Sequence, residues 1–103
     1  MTAPLPVLVV GNAARAIADA ADWWLANRTK APQAFREELA RGFELISRQP
    51  NVGARARNAA LAGVRRIHLA RIRYHLYYRV LSSPGRIEVL ALWHTSRGSD
   101  PGL

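Results

Sequence analysis

Two stretches of alternating polarity, Tyr74–Leu81 and Ile87–His94, are joined by Ser82-Ser83-Pro84-Gly85. Successive strand residues point to opposite faces, so a two-residue alternation is the mark of a half-buried strand. A short link holding Pro and Gly turns such a chain back on itself. The segment predicts a β-hairpin, and a lone hairpin is at best marginally stable in water. Whatever precedes it must supply more strands and a cover for its apolar face. A third strand is predicted over Val64–Ala70, with a turn at Ala70–Arg73 that has no Gly, Pro or Asn. The alternation puts Ile87, Val89, Ala91 and Trp93 on one face of the last strand, against Glu88, Leu90, Leu92 and His94. In the middle strand Tyr74, Leu76, Tyr78 and Val80 oppose His75, Tyr77 and Arg79. In the first, Arg66 and His68 oppose Arg65, Ile67 and Leu69. One face of the meander is apolar, and the other mixes Arg, His and Tyr.

The cover comes from the first half. Pro4 to Val10 reads as a short strand ended by Gly11-Asn12, with both prolines restricting its start to an edge or a sheet entrance. Asn12 is the expected cap of a helix over about 13–26, whose apolar side carries Ala14, Ile17, Ala21, Trp24 and Leu25. The break at 27–32 leads to a second helix with Phe35, Leu39, Phe43 and Ile46 on one stripe, closed by Pro50. Two amphipathic helices on a short link form a helical hairpin. Phe43 is expected to be buried against the sheet. The basic, alanine-rich stretch Asn51–Gly63 is read as a connection, with a helical turn at Arg57–Leu61. The predicted fold is α+β in the order βααβββ, an antiparallel sheet against an N-terminal helical hairpin, as a single domain over 1–103.

The sequence holds no cysteine, which removes disulfides and thiolate metal sites and fits a reducing compartment. Its three histidines, His68, His75 and His94, form no ligand-spaced pair, so no metal is expected. The apolar run Leu5–Val10 is shorter than the roughly 20 residues of a membrane span and lacks a basic flank and cleavage site. A cytoplasmic protein that does not engage a membrane is expected. Charge is unevenly spread: residues 1–50 carry six basic and five acidic side chains, residues 51–103 nine and two, for +8 in all. Such a field suits an acidic protein or a nucleic acid.

The runs Gly63-Val64-Arg65-Arg66-Ile67, Tyr74-His75-Leu76-Tyr77-Tyr78-Arg79-Val80 and Ile87–Gly98 resemble the ParE/RelE toxin superfamily. The apolar strand closed by His94-Thr95-Ser96-Arg97 is similar to the ParE branch. The resemblance covers nearly the whole chain and implies the same sheet-and-hairpin fold. It also implies the toxin of a type II toxin–antitoxin pair, bound by an acidic ParD-like antitoxin and contacting DNA only through it. The ParE branch implies inhibition of DNA gyrase by protein–protein binding, without catalysis or cofactor. The RelE branch implies the alternative, a ribosome-dependent mRNA endoribonuclease. Attack by a 2′-hydroxyl needs a base, an acid and a cation on the phosphate. Arg66, His75, Arg79 and His94 are the residues that would supply them. The loop 51–63 offers Arg55 and Arg57 but no Lys or Glu, and Thr95 stands where some relatives have Tyr, which favours the binding reading.

For a binder, the expected antitoxin contacts are Trp23, Arg73 and Arg79, a large aromatic and two guanidiniums that suit an acidic segment. Against Trp23 stands ordinary packing; Arg65 and Arg66, which could contact a polyanion, equally fit a solvated strand flanking the core. The expected target contacts are Trp93, His94 and Arg97, with the polar tail Gly98–Leu103 expected to be mobile and free to reach a partner. The plain alternative is a frayed terminus.

Overall fold

Five strands form one mixed sheet in the order β1-β5-β4-β3-β2, with two helices on one of its faces. The computed structural model describes residues 3–83 and 85–103; Pro84, in the predicted hairpin turn, lies outside them. The elements are β1 (Val7–Val9), α1 (Gly11–Asn27), α2 (Ala34–Arg48), β2 (Ala54–Arg55), β3 (Arg65–Leu69), β4 (Tyr74–Ser82) and β5 (Gly85–His94). The α+β class and the helical hairpin ahead of the three-strand meander follow the sequence reading. Two details differ. β1 runs parallel to β5, so the sheet is mixed, and the two-residue β2 pairs with β3 at the far edge. A strand that short leaves no periodicity to read. The same connection holds turns and no helical turn at Arg57–Leu61.

Asn12 does not cap α1; it lies inside it, and no side chain caps the helix. The reason is that Val10 belongs to both elements. Its N–H donates to Val89 O at 3.1 Å, and its carbonyl accepts from Ala14 N–H at 2.9 Å. The helix therefore starts where the sheet hydrogen bond ends. Ala13, Ala20 and Trp24 form the buried stripe of α1, with Ala16, Ile17 and Ala21 partly covered. Ala14 is exposed and Leu25 is 52% exposed, contrary to expectation. Alanine is nearly equally frequent all round this helix, so the sequence offers overlapping stripes, and of the two adjacent tryptophans it is Trp24 that is buried.

In α2 Phe35 and Ile46 are buried, whereas Leu39 and Phe43 are half-buried against the core. Gly42 lets this helix approach β3 closely, since a Cβ there would lie 2.7 Å from Leu69 Cδ2. Glu38 is buried yet fully engaged. Its carboxylate accepts from Arg41 Nε at 2.8 Å, Arg41 Nη2 at 3.1 Å and the Arg71 backbone N–H at 3.2 Å. The Arg41 hydrogen bond, helped by Arg71, outweighs burial and holds this carboxyl below the usual range. It ties α2 to the β3–β4 turn.

That turn shows how a link without Gly, Pro or Asn reverses the chain. Arg73 adopts a left-handed backbone (φ 64°), Ile72 tucks into the core, and the Arg73 N–H donates to Leu69 O at 2.8 Å. Left-handed geometry disfavours a branched or bulky residue, and here the surrounding hydrogen bonds impose it.

A β-bulge corrects the face assignment of β5. Tyr78 pairs with Val89 but Tyr77 pairs with Ala91, which leaves Leu90 as an extra residue. One extra residue exchanges the two faces beyond it. Ile87 and Val89 face the helices as expected, but beyond the bulge it is Leu92 and His94 that share their face. Ala91 and Trp93 turn to the outer face. Leu92 is accordingly buried in the core, and Trp93 is not part of it. Both alternations in β5 were real; the register between them was not visible in the sequence.

Candidate functional site

Two clefts, on opposite sides of the sheet, gather the polar side chains of interest. The first lies where α1 ends beside the β3–β4 turn and the end of β5. It has a volume of about 470 Å³ and is lined by Trp23, Trp24, Arg28, Arg71, Ile72, Arg73, Tyr74 and His94. Trp24 is fixed by its indole N–H, which donates to Ala31 O at 2.8 Å, and packs on Phe35 at 6.3 Å. Trp23, its neighbour at 6.5 Å, is 47% exposed. The Arg28 guanidinium lies over both rings, 5.0 Å from Trp23 and 5.8 Å from Trp24. Residues four apart on a helix are surface neighbours, so Trp24 followed by Arg28 was a readable signal of part of this cluster, while the approach of Arg28 to Trp23 follows from its non-helical position at the end of α1.

His94 closes the cleft beside Tyr74, with ring centroids 5.0 Å apart, edge to face. Its Nδ1 accepts from the Ser96 N–H at 3.1 Å and lies 2.6 Å from Ser96 Oγ. Neutral His94 consequently carries its proton on Nε2. Burial pushes the Tyr74 hydroxyl above its usual pKa, with nearby Arg97 opposing the shift.

The second cleft is on the outer face and also measures about 470 Å³. Arg55, Arg57, Asn58, Arg66, Tyr77 and Asp100 are among its lining residues. Here the tail contradicts the expectation that it is mobile. The Trp93 indole N–H donates to Ser99 O at 2.7 Å, and Asn58 Nδ2 donates to Asp100 Oδ2 at 2.8 Å. The Leu61 N–H donates to Leu103 O at 3.0 Å, and Pro101 is buried. Gly98–Leu103 is thus a strap laid along the outer face. A short polar run reads as a frayed end only while the surface beneath it is unknown.

On the same face His68 and His75 are cross-strand partners with rings 5.2 Å apart. Burial, then Arg66 and His68, push the His75 pKa down, while Asp100 pulls the other way. Arg66 Nη1 donates to the Tyr77 hydroxyl at 3.3 Å. Arg79 is occupied by Glu88 opposite it on β5, at 2.8 Å.

These positions sort the expected residues. Trp23 and Arg73 come together in the first cleft, and His94 joins them. Arg79 is on the other face of the sheet and away from both. Trp93 and His94 are neighbours on β5 that point to opposite faces, and Arg97 stacks on Trp93 at 4.1 Å. Arg66, His75 and Arg79 share the outer face, but His94 does not. Arg28, Asp100 and the strap were not anticipated. Among the described residues no group of three or more His, Cys, Asp or Glu could hold a metal, and no helix is long and apolar enough to cross a membrane.

A sheet carrying a helical hairpin on one face and an arginine-rich cleft at its rim defines a class of small α+β protein. The family model of the ParE toxin of type II toxin–antitoxin systems, parDE, matches residues 8–98. The chain belongs to that family. Its structure is similar to one described as a chromosomal ParDE TA system from P. aeruginosa, with a TM-score of 0.68 and 20% sequence identity. That similarity covers 89% of this chain and 97% of the other. No curated protein matches this chain.

Proposed function

We propose that this toxin acts in the cytoplasm by binding DNA gyrase, without catalysis, and that an acidic ParD-like antitoxin neutralises it. The observation that carries the non-catalytic reading is the dispersal of the ribonuclease set. His94 lies on the helix face with its Nδ1 occupied, while Arg66, His75 and Arg79 lie on the outer face. Arg79 is neutralised by Glu88, and the strap covers part of the surface an RNA would need. General acid–base catalysis requires its groups within hydrogen-bond reach of one reacting centre. Membership of the ParE family supports the toxin reading from a separate direction.

Trp93, His94 and Arg97, at the end of β5, are proposed to face the target, and Trp23 and Arg73 to face the antitoxin. Arg79 is retained as an antitoxin contact only for a segment that reaches the outer face. Brief expression in bacteria tests the reading. Gyrase inhibition predicts filamentation and a DNA-damage response with intact mRNA; prompt translation arrest with cut transcripts would instead assign the RelE-type nuclease.

A further inference from the structure

We propose that the cleft formed by Trp23, Arg28, Ile72, Arg73, Tyr74 and His94 seats one segment of the acidic antitoxin, a carboxylate next to an apolar side chain. The proposal rests on the antitoxin reading above and names the part of the surface that does the recognising.

The cleft has two chemically distinct parts. Its floor is apolar, made by buried Trp24 and Ile72 and half-buried Tyr74, with the exposed indole of Trp23 as one wall. Its rim is cationic. Arg71 is already paired with Glu37 at 3.0 Å. Arg28 and Arg73 have no carboxylate partner among the described residues. The Arg28 guanidinium carbon lies 5.0 Å from the Trp23 ring and 5.8 Å from the Trp24 ring, which holds the cation against the aromatic wall. A guanidinium held in this way has little rotamer freedom left to lose when a carboxylate arrives.

Arg73 is positioned with similar care. Its N–H is bound to Leu69 O, and its carbonyl accepts the Thr95 N–H at 3.0 Å, which locks the turn to the residue after β5. A left-handed backbone would be met at less strain by Gly or Asn. Retaining Arg at this point places an exposed cation at the lip of the cleft, and a strained position of this kind points to use.

The two parts together select the ligand. A wholly apolar side chain would bury the floor but strip water from two guanidiniums without pairing them. A small anion would pair the guanidiniums and leave the aromatic floor wet. A carboxylate and an apolar side chain on one peptide segment satisfy both, and about 470 Å³ is within the range of ligand-sized clefts. The net charge of +8 favours an acidic partner at long range as well. Because His94 lines the same cleft, the bound segment also covers one residue proposed to face the target.

The test uses the purified full chain, the proposed acidic ParD-like antitoxin, and calorimetric titration. Trp23→Ala, Arg28→Ala and Arg73→Ala are each expected to weaken binding about 10- to 100-fold, as for loss of a charged hydrogen bond or an aromatic anchor. Arg28→Lys, which keeps the charge but not the planar two-pronged donor, should fall between. Arg55→Ala removes the same charge at the opposite edge strand and should leave affinity unchanged. All four sites are solvent-exposed, and thermal melts confirm that each of the five variants is folded. Wild-type affinity retained in the three cleft variants would overturn the inference while leaving the antitoxin reading intact. Failure of the wild type to bind any acidic antitoxin would overturn that reading and this inference with it. Quenching of tryptophan fluorescence by a single-stranded oligonucleotide, with release of bound antitoxin, would overturn the peptide in favour of a nucleic acid.

Discussion

Tyr78→Phe deletes a single oxygen and tests how the loop after α2 is held to the sheet. Tyr78 is fully buried in β4. Its hydroxyl donates to Pro50 O at 2.7 Å and accepts from the Gly53 N–H at 2.9 Å. The pairing is tight: a Cβ on Gly53 would lie 2.7 Å from the Tyr78 oxygen and 2.8 Å from Arg66 O. Among the described residues no other hydrogen-bond partner stands in for either backbone group in Tyr78→Phe. A buried donor or acceptor left unpaired costs about 1–3 kcal/mol, so two cost about 2–4 kcal/mol after partial relaxation. For a domain of this length each kcal/mol moves Tm by roughly 4–8 °C, which predicts a fall of about 10–25 °C. Urea denaturation followed by tryptophan fluorescence measures the free energy, and calorimetry the Tm. Tyr77→Phe is the matched control, because its hydroxyl only accepts one longer bond from Arg66 at 3.3 Å. A loss below about 1 kcal/mol in Tyr78→Phe, or one equal to that of Tyr77→Phe, would refute the reasoning.

Phe35→Ala should cost about 3–5 kcal/mol, since its ring is buried between Trp24 and Tyr74, while half-buried Phe43→Ala should cost measurably less in the same denaturation series. Glu38→Ala removes the acceptor for Arg71 N–H and should destabilise by about 2 kcal/mol, most visibly as faster hydrogen exchange in the β3–β4 turn. The depressed His75 pKa means that the unfolded chain binds that proton more readily than the folded one. The resulting stability is present above the ordinary histidine value of about 6.5 and is lost as pH falls through the lower folded value, so His75→Phe should flatten the stability profile there.

The features legible in the sequence were those with a repeated signal. The hairpin, the two amphipathic helices and the three meander strands were set by periodicity over five or more residues, and structure and reading agree on where they lie. The unreadable features depended on a single residue or on distant partners. One bulged residue, Leu90, exchanged the faces of Leu92, His94, Ala91 and Trp93. The left-handed turn at Arg73 rests on hydrogen bonds to Leu69 and Thr95, residues on either side of a hairpin. The strap is recorded in no local pattern, because Ser99, Asp100 and Pro101 gain their partners from Trp93, from the loop at Asn58 and from the surface over Tyr77. Of the site, the exposed Trp23 and the rim arginine Arg73 were visible as residue types. Their meeting with His94 required the third dimension.

The strap also changes how toxicity is best dissected. Deleting Gly98–Leu103 would uncover the outer face as well as remove a candidate contact, so the truncation mixes folding with function. Arg97→Ala is the cleaner change, because Arg97 is exposed and stacks on Trp93 without holding the strap.

The most direct measurement is supercoiling of relaxed plasmid by purified gyrase with this protein added in increasing amounts. A gyrase-binding toxin should cause loss of supercoiling that saturates with the toxin, reversal by an equimolar amount of the acidic antitoxin, and inhibition retained in His75→Ala. Arg97→Ala should inhibit more weakly. Undiminished supercoiling at saturating toxin, with ribosome-dependent cutting of mRNA that His75→Ala abolishes, would contradict gyrase binding.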